Sequence, residues 1–154
     1  MTATEKRKPE ESIVVHYPEA VEWRRSLHRC PQPSWLEFYA TAFVAEKLSK
    51  WGYEIRMGRE VVAEEKQLLL PGPEKLQEED ERALKAGARE EFLARARGGF
   101  TGVVAVLRGD RPGPTVGYRF DIDSNEVMES PDVSHRPAKE GFLSQNPGYA
   151  HMCG

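Results

Sequence analysis

Apolar residues recur at helical spacing twice in the first third of the chain. Val21, Trp23 and Leu27 predict a short helix from about Pro18 to Arg29, with Pro18 in the first turn, where a missing N–H is tolerated. Cys30-Pro-Gln-Pro33 ends it, because each proline removes a donor and pushes its predecessor out of the helical region. Leu36, Ala40, Val44, Leu48 and Trp51, flanked by Tyr39 and Phe43, predict a second helix with one apolar face. Ser34 and Glu37 have the spacing of a capping box at its start, and Gly52 supplies a left-handed residue to stop it. Tyr53-Glu-Ile-Arg-Met57 then alternates as a half-buried strand does.

Residues 71–99 have a different texture. Leu76, Ala83, Leu84, Ala88, Phe92 and Ala96 follow a helical period only loosely within a highly charged run. Acidic Glu74, Glu78, Glu79 and Asp80 come early and Arg95 and Arg97 late, an order that complements a helix dipole over 74–97, with Gly98-Gly99 as its end. Phe100–Leu107 is nearly continuous and β-branched, as in a strand buried on both faces. Gly109–Pro114 reads as a tight turn into a second strand, Thr115–Asp123. Helices followed by buried strands predict an α/β fold with helices laid on a sheet. From Ser124 the chain is irregular, broken by Pro131, Pro137, Gly141, Pro147 and Gly148, and it ends at His151-Met-Cys-Gly154. The polar start, residues 1–17, is expected to be a disordered lead-in to a single domain over 18–154.

Composition narrows the class. With 154 residues, a net charge of -3 and a pI near 5.9, the chain lacks the concentrated basic face that nucleic acid requires. No apolar run is long enough to span a membrane, and no apolar stretch follows the initial charges as a secretory signal would. Two cysteines are too few for a disulfide framework, which favours a reduced, cytoplasmic setting.

Three groups of residues could carry chemistry. Alternation places Arg119, Asp121 and Asp123 on one face of the strand to 123, either as the rim of a site at a strand end or as a surface ion pair; spacing alone favours the ion pair. His151 and Cys153 are two apart and would face the same way in an extended segment, so imidazole and thiolate could meet one metal, or belong to an ordinary chain end. Trp23-Arg-Arg-Ser-Leu-His28 reads most simply as an amphipathic helix with solvated arginines.

These stretches also form an ordered set. Trp23–His28, Trp35-Leu-Glu-Phe38, Thr41–Leu48 and Gly52-Tyr53 are followed by Met57-Gly-Arg-Glu-Val-Val62, a charged insert and Gly98–Ala105. Arg111-Pro-Gly-Pro114, Arg119-x-Asp-x-Asp123, Asp132-Val-Ser-His-Arg-Pro137 and His151-x-Cys-Gly154 complete it. In order and spacing the set resembles the metallo-amidohydrolases related to aminoacylases and carboxypeptidases, and most of all the aminobenzoyl-glutamate hydrolase A-subunit group. Each motif is weak alone, and the set spans Val21 to Gly154.

The resemblance implies the N-terminal portion of a three-layer, zinc-hydrolase-like catalytic domain, an incomplete sheet with flanking helices. It implies cleavage of the amide bond of N-acyl amino acids by water activated on zinc or manganese. In the family the terminal motif runs His-x-Cys-Gly-His-Asp, so Cys153 matches a metal ligand. The remaining ligands and the general base match nothing in this sequence. Asp121 and Asp123 match an acidic pair beside the metal, with Arg119 and His151 at the rim, while Ser124-Asn-Glu126 departs from the family's usual Ala-Leu. The stop inside this motif leads to the expectation of a truncated chain that is inactive alone and retains no metal. Association with a related subunit, or with a second copy, is the partner expected. The alternative is a non-catalytic binding or subunit-interaction module whose contact surface is the charged helix at 74–97.

Overall fold

The computed structural model describes residues 8–151; the Cys153 assignment lies outside the described residues. The elements, in order, are α1 (Pro9–Arg29), α2 (Phe38–Lys50), β1 (Glu54–Met57), α3 (Pro73–Lys85), α4 (Glu90–Ala96), β2 (Val103–Val106) and α5 (Arg136–Glu140), with short 3-10 turns at Gly58–Glu60 and Glu64–Lys66. β1 and β2 form a two-stranded antiparallel sheet, pairing Glu54 with Val106 and Met57 with Val103. The class is α/β, as expected. No described helix is long and apolar enough to cross a membrane.

α1 starts at Pro9, so the stretch from 9 to 17 assigned to a disordered lead-in is helical instead. Pro9 occupies the first-turn position expected of Pro18. Glu10 and Glu11 sit in that turn, where negative charge suits the dipole, and the Glu11 carboxylate accepts the Lys8 backbone N–H at 3.4 Å. Pro18 therefore lies inside the helix. Its absent N–H leaves the Val14 carbonyl without a helical donor, a loss that water can make good because Val14 is exposed.

The capping box at Ser34 and Glu37 does not form. Trp35 adopts φ 67° and its indole N–H donates to the Leu68 carbonyl at 2.8 Å, which interrupts the chain before a helix can start. Glu37 is instead the residue preceding α2. The buried face of α2 is Phe38, Thr41, Ala42 and Ala45, with Tyr39 and Ala40, whereas Trp51, expected on the apolar face, is exposed. The face is turned because small residues let α4 come close: Ala42 and Ala45 share a core with Leu93, Ala96, Ala83, Phe92 and Met57. The end of α2 at Gly52, with φ 82°, is as expected.

The charged stretch makes two helices. Gly87, at φ 95°, takes a conformation that costs other residues energy, and the chain turns there between α3 and α4. The second expected strand is absent: among the described residues, 115–123 forms no strand, and Tyr118 and Phe120 are 82% and 80% exposed. β2 finds its partner in β1, some fifty residues earlier, instead of across the turn at 109–114. β2 is also not buried on both faces, since Val104 is 47% exposed.

Gly58 follows β1 at φ 67°, and a Cβ there would lie 2.1 Å from the Arg95 carbonyl oxygen. At Gly52 a Cβ would meet nothing within 4 Å. Both Gly→Ala changes incur the left-handed penalty, about 1 kcal/mol. Gly58→Ala is expected to cost about 1–3 kcal/mol more, because the α4 backbone cannot yield as a flexible side chain would. Denaturant midpoints of the two variants check this; equal midpoints would contradict the close β1–α4 contact.

Candidate functional site

The Trp23–His28 motif forms the joint between α1 and the end of the chain. Trp23 packs against Trp51 with ring centres 5.3 Å apart, and the Lys47 ammonium lies 5.2 Å from the Trp23 ring, tying α1 to the end of α2. Two residues on, Arg25 sits 4.7 Å from the Phe142 ring centre and pairs with Glu140. Its side chain is only 20% exposed, so the reading of solvated arginines fails for this residue. His28, next on the same face, is buried and meets Phe142 edge-on.

His28 Nε2–H donates to Glu129 Oε1 at 2.7 Å, His135 Nε2–H donates to the same oxygen at 2.8 Å, and the Ser144 backbone N–H donates to Oε2 at 2.6 Å. Burial pushes the Glu129 carboxyl up, but the Ser144 N–H and the two rings outweigh it and hold the group below the ordinary carboxylate range. No spacing in the sequence pairs His28 with Glu129, which lie 101 positions apart.

Glu79 is a second buried carboxylate. Glu79 on α3 is fully buried; its Oε2 accepts Gln32 Nε2 at 3.0 Å and Asn146 Nδ2 at 3.2 Å, while Lys75 reaches Oε1 at 3.1 Å and Arg82 reaches Oε2 at 3.3 Å. Gln32 is used completely, since its Oε1 accepts the Tyr39 backbone N–H at 2.7 Å. Asn146 also donates to the Pro31 carbonyl at 2.9 Å. Cys30 borders this group; burial, with Glu79 adding to it and Arg82 opposing, pushes its thiol up to about 11, which leaves it unreactive.

Of the expected site residues, Asp123 and His151 are brought together and Arg119 and Asp121 are not. Arg119 and Asp121 form an exposed ion pair at 2.8 Å, the bland reading of that strand end. Asp123 Oδ2 accepts Ser34 Oγ–H at 2.9 Å, so the serine expected to cap α2 reaches across 89 positions instead. Its intended partner Glu37 accepts Thr101 Oγ1–H at 2.6 Å. Burial raises the Glu37 carboxyl, Asp123 adds to that, and the Thr101 hydroxyl opposes. His151 is half-buried with its ring centre 6.4 Å from that of His28; burial and His28 lower its pKa, against an opposing pull from Asp123. An open cleft of about 450 Å³ adjoins this end, lined by Ser34, Leu36, Leu69, Lys75, Asp123, Glu126 and Tyr149 among others. Among the described residues no three His, Cys, Asp or Glu side chains converge as metal ligands would. The donor oxygens of Glu129 and Glu79 are already occupied by N–H groups, so these residues do not fit a metal by themselves.

No family model matches the chain. It is 44% identical over 137 residues to the A subunit of the p-aminobenzoyl-glutamate hydrolase of Escherichia coli, a match that covers 89% of this chain and 31% of that protein. The chain is similar to an N-terminal portion of this hydrolase. It is also 42% identical over 137 residues to the indole-3-acetyl-aspartic acid hydrolase of Enterobacter agglomerans, again with 89% and 31% covered. The crystal structure of an aminobenzoyl-glutamate utilization protein from Klebsiella pneumoniae superposes with a TM-score of 0.73 at 39% identity, over 75% of this chain and 29% of that one. The chain thus spans about a third of the length of the amidohydrolases it matches, and corresponds to an N-terminal portion of them.

The lowered Glu129 carboxyl has a consequence for acid stability. A carboxyl held below its unfolded value stabilises the fold fully above the ordinary range, about pH 4.3, and the contribution is lost as pH falls through the folded value. The stability difference between the natural chain and Glu129→Gln is therefore expected to shrink from about pH 5 to about pH 3. Denaturant melts across that range check it; a difference that widens toward acid would contradict the assignment.

Proposed function

We propose that the chain is part of a metal-dependent amidohydrolase that cleaves the amide bond of N-acyl amino acids of the aminobenzoyl-glutamate type, and that it is inactive alone. The observation that carries this reading is the 44% identity sustained over 137 residues with a hydrolase of that substrate. Zinc or manganese is the metal of the proposal, and Cys153 one of its ligands, with any further ligands outside the described residues. Asp123 and His151 are assigned to the rim of that centre, with Asp121 and Arg119 further out. Their meeting at one end of the molecule, beside an open cleft, supports the placement of Asp123 and His151. Association with a related subunit belongs to the same proposal, supported by the relative's own designation as one subunit of its enzyme. So does a cytoplasmic setting.

The chemistry left to the described residues is preparatory. Ser34 donates a hydrogen bond that fixes one Asp123 oxygen, so the carboxylate is presented in one orientation. The Glu37–Thr101 pair stands behind it, and the Thr41 hydroxyl fastens the Thr101 carbonyl at 2.7 Å.

Two measurements test the proposal together. The 154-residue chain with zinc or manganese is expected to release no glutamate from p-aminobenzoyl-glutamate. Grafted in place of the matching stretch of the Escherichia coli hydrolase, it is expected to support hydrolysis. Asp123→Asn in the graft should lower kcat/KM by about 10- to 100-fold, and Cys153→Ser by about 100-fold or more. Turnover by the chain alone, a folded but inactive graft, or a fully active Cys153→Ser graft would each overturn the reading.

A further inference from the structure

We infer that Glu129 is a positioning residue for the end of the chain: its carboxylate clasps residues 129–144 to α1 and so sets where the His151 end lies. Three N–H donors converge on this carboxylate from three places, His28 on α1, His135 just before α5 and Ser144 just after it. One group thereby closes the loop from 129 to 144 on itself and fastens it to the helix.

The order passes on through Ser144. Its hydroxyl accepts the Asn146 backbone N–H at 3.1 Å and donates to the Tyr149 carbonyl at 2.7 Å. From there Asn125 and Ala150 exchange backbone hydrogen bonds of 3.0 and 3.1 Å, immediately before His151. Gln145 N–H donates to the Arg29 carbonyl at 2.8 Å, which anchors the relay to the last residue of α1. Arg25, on the same face of α1 as His28, also holds Glu140 and Phe142.

The carboxylate accepts all three N–H groups as they stand. Glutamine can match them only if its oxygen faces Ser144 and both rings move their proton to Nδ1, whereas leucine, of similar size, accepts none. Aspartate keeps two acceptor oxygens on a shorter arm. The chemistry of the carboxylate should therefore matter more than its length.

The bearing on hydrolysis rests on the amidohydrolase reading above, but the clasp does not, and its test needs no catalysis. Amide hydrogen exchange is measured on the full 154-residue chain and its variants near neutral pH. Glu129→Leu is expected to speed exchange at the Asn125, Gln145 and Ala150 amides by roughly 10- to 100-fold, with α2 amides unchanged. Glu129→Asp should restore most of that protection. His135→Ala, which removes one donor from a half-exposed side chain, should speed the same amides by up to about tenfold and decides the matter if Glu129→Leu fails to fold. Unchanged exchange at those amides in either variant, equal acceleration in α2, or an aspartate no better than the leucine would overturn the inference. A failure here leaves the activity of the graft unaffected, and an inactive graft leaves the exchange pattern unaffected.

Discussion

A fully buried carboxylate must find several donors or destabilise the fold, and the arrangement of this chain follows from how Glu79 finds them. The Glu79 side chain, on α3, draws Gln32 from the proline-bounded linker after α1 and Asn146 from near the end of the chain. Lys75 and Arg82, one turn to either side of it on α3, add opposite charge at 3.1 and 3.3 Å. Three segments far apart in sequence therefore share one charge. The linker loses no hydrogen bonding to its prolines, because its carbonyls are claimed by the returning chain: Pro31 by Asn146, Gln32 by the Ser124 N–H, Arg29 by the Gln145 N–H.

This framework explains how irregular chain can hold a candidate site. Residues 124–151 contain only α5 as regular structure, yet Asn146 reaches Glu79 and Glu129 reaches His28, so the stretch is pinned at two buried points. Asp123 and His151 lie at the ends of the pinned stretch, which is why they meet while Arg119 and Asp121, before it, stay exposed.

Much of the regular structure was legible because it is local. α2, its stop at Gly52 and the alternation in β1 depend on neighbours three or four positions away, and periodicity reports those. The errors share one cause. Ser34 and Glu37 carry the right groups for a cap, but Asp123 and Thr101 claim them through contacts no local pattern contains. The strand at 103–106 pairs backward to β1 and not forward, and Gly87 divides a charged run whose sign order suits one helix as well as two. His28, Glu129, Asn146 and Glu79 had no signal as isolated residues. The stretch Trp23–His28 stood out as an amphipathic helix and the stretch with His135 only through the resemblance, and neither signal says what the two rings touch.

The central claim is that Gln32 and Asn146 are joined energetically through one shared carboxylate. A double-mutant cycle on denaturant unfolding, with Gln32→Ala, Asn146→Ala and both together, measures it directly. Because each removes a donor from the same buried oxygen, the double variant should depart from the sum of the singles by about 1 kcal/mol. Additivity to within about 0.3 kcal/mol would show that the linker and the returning chain are held independently, and would contradict the account.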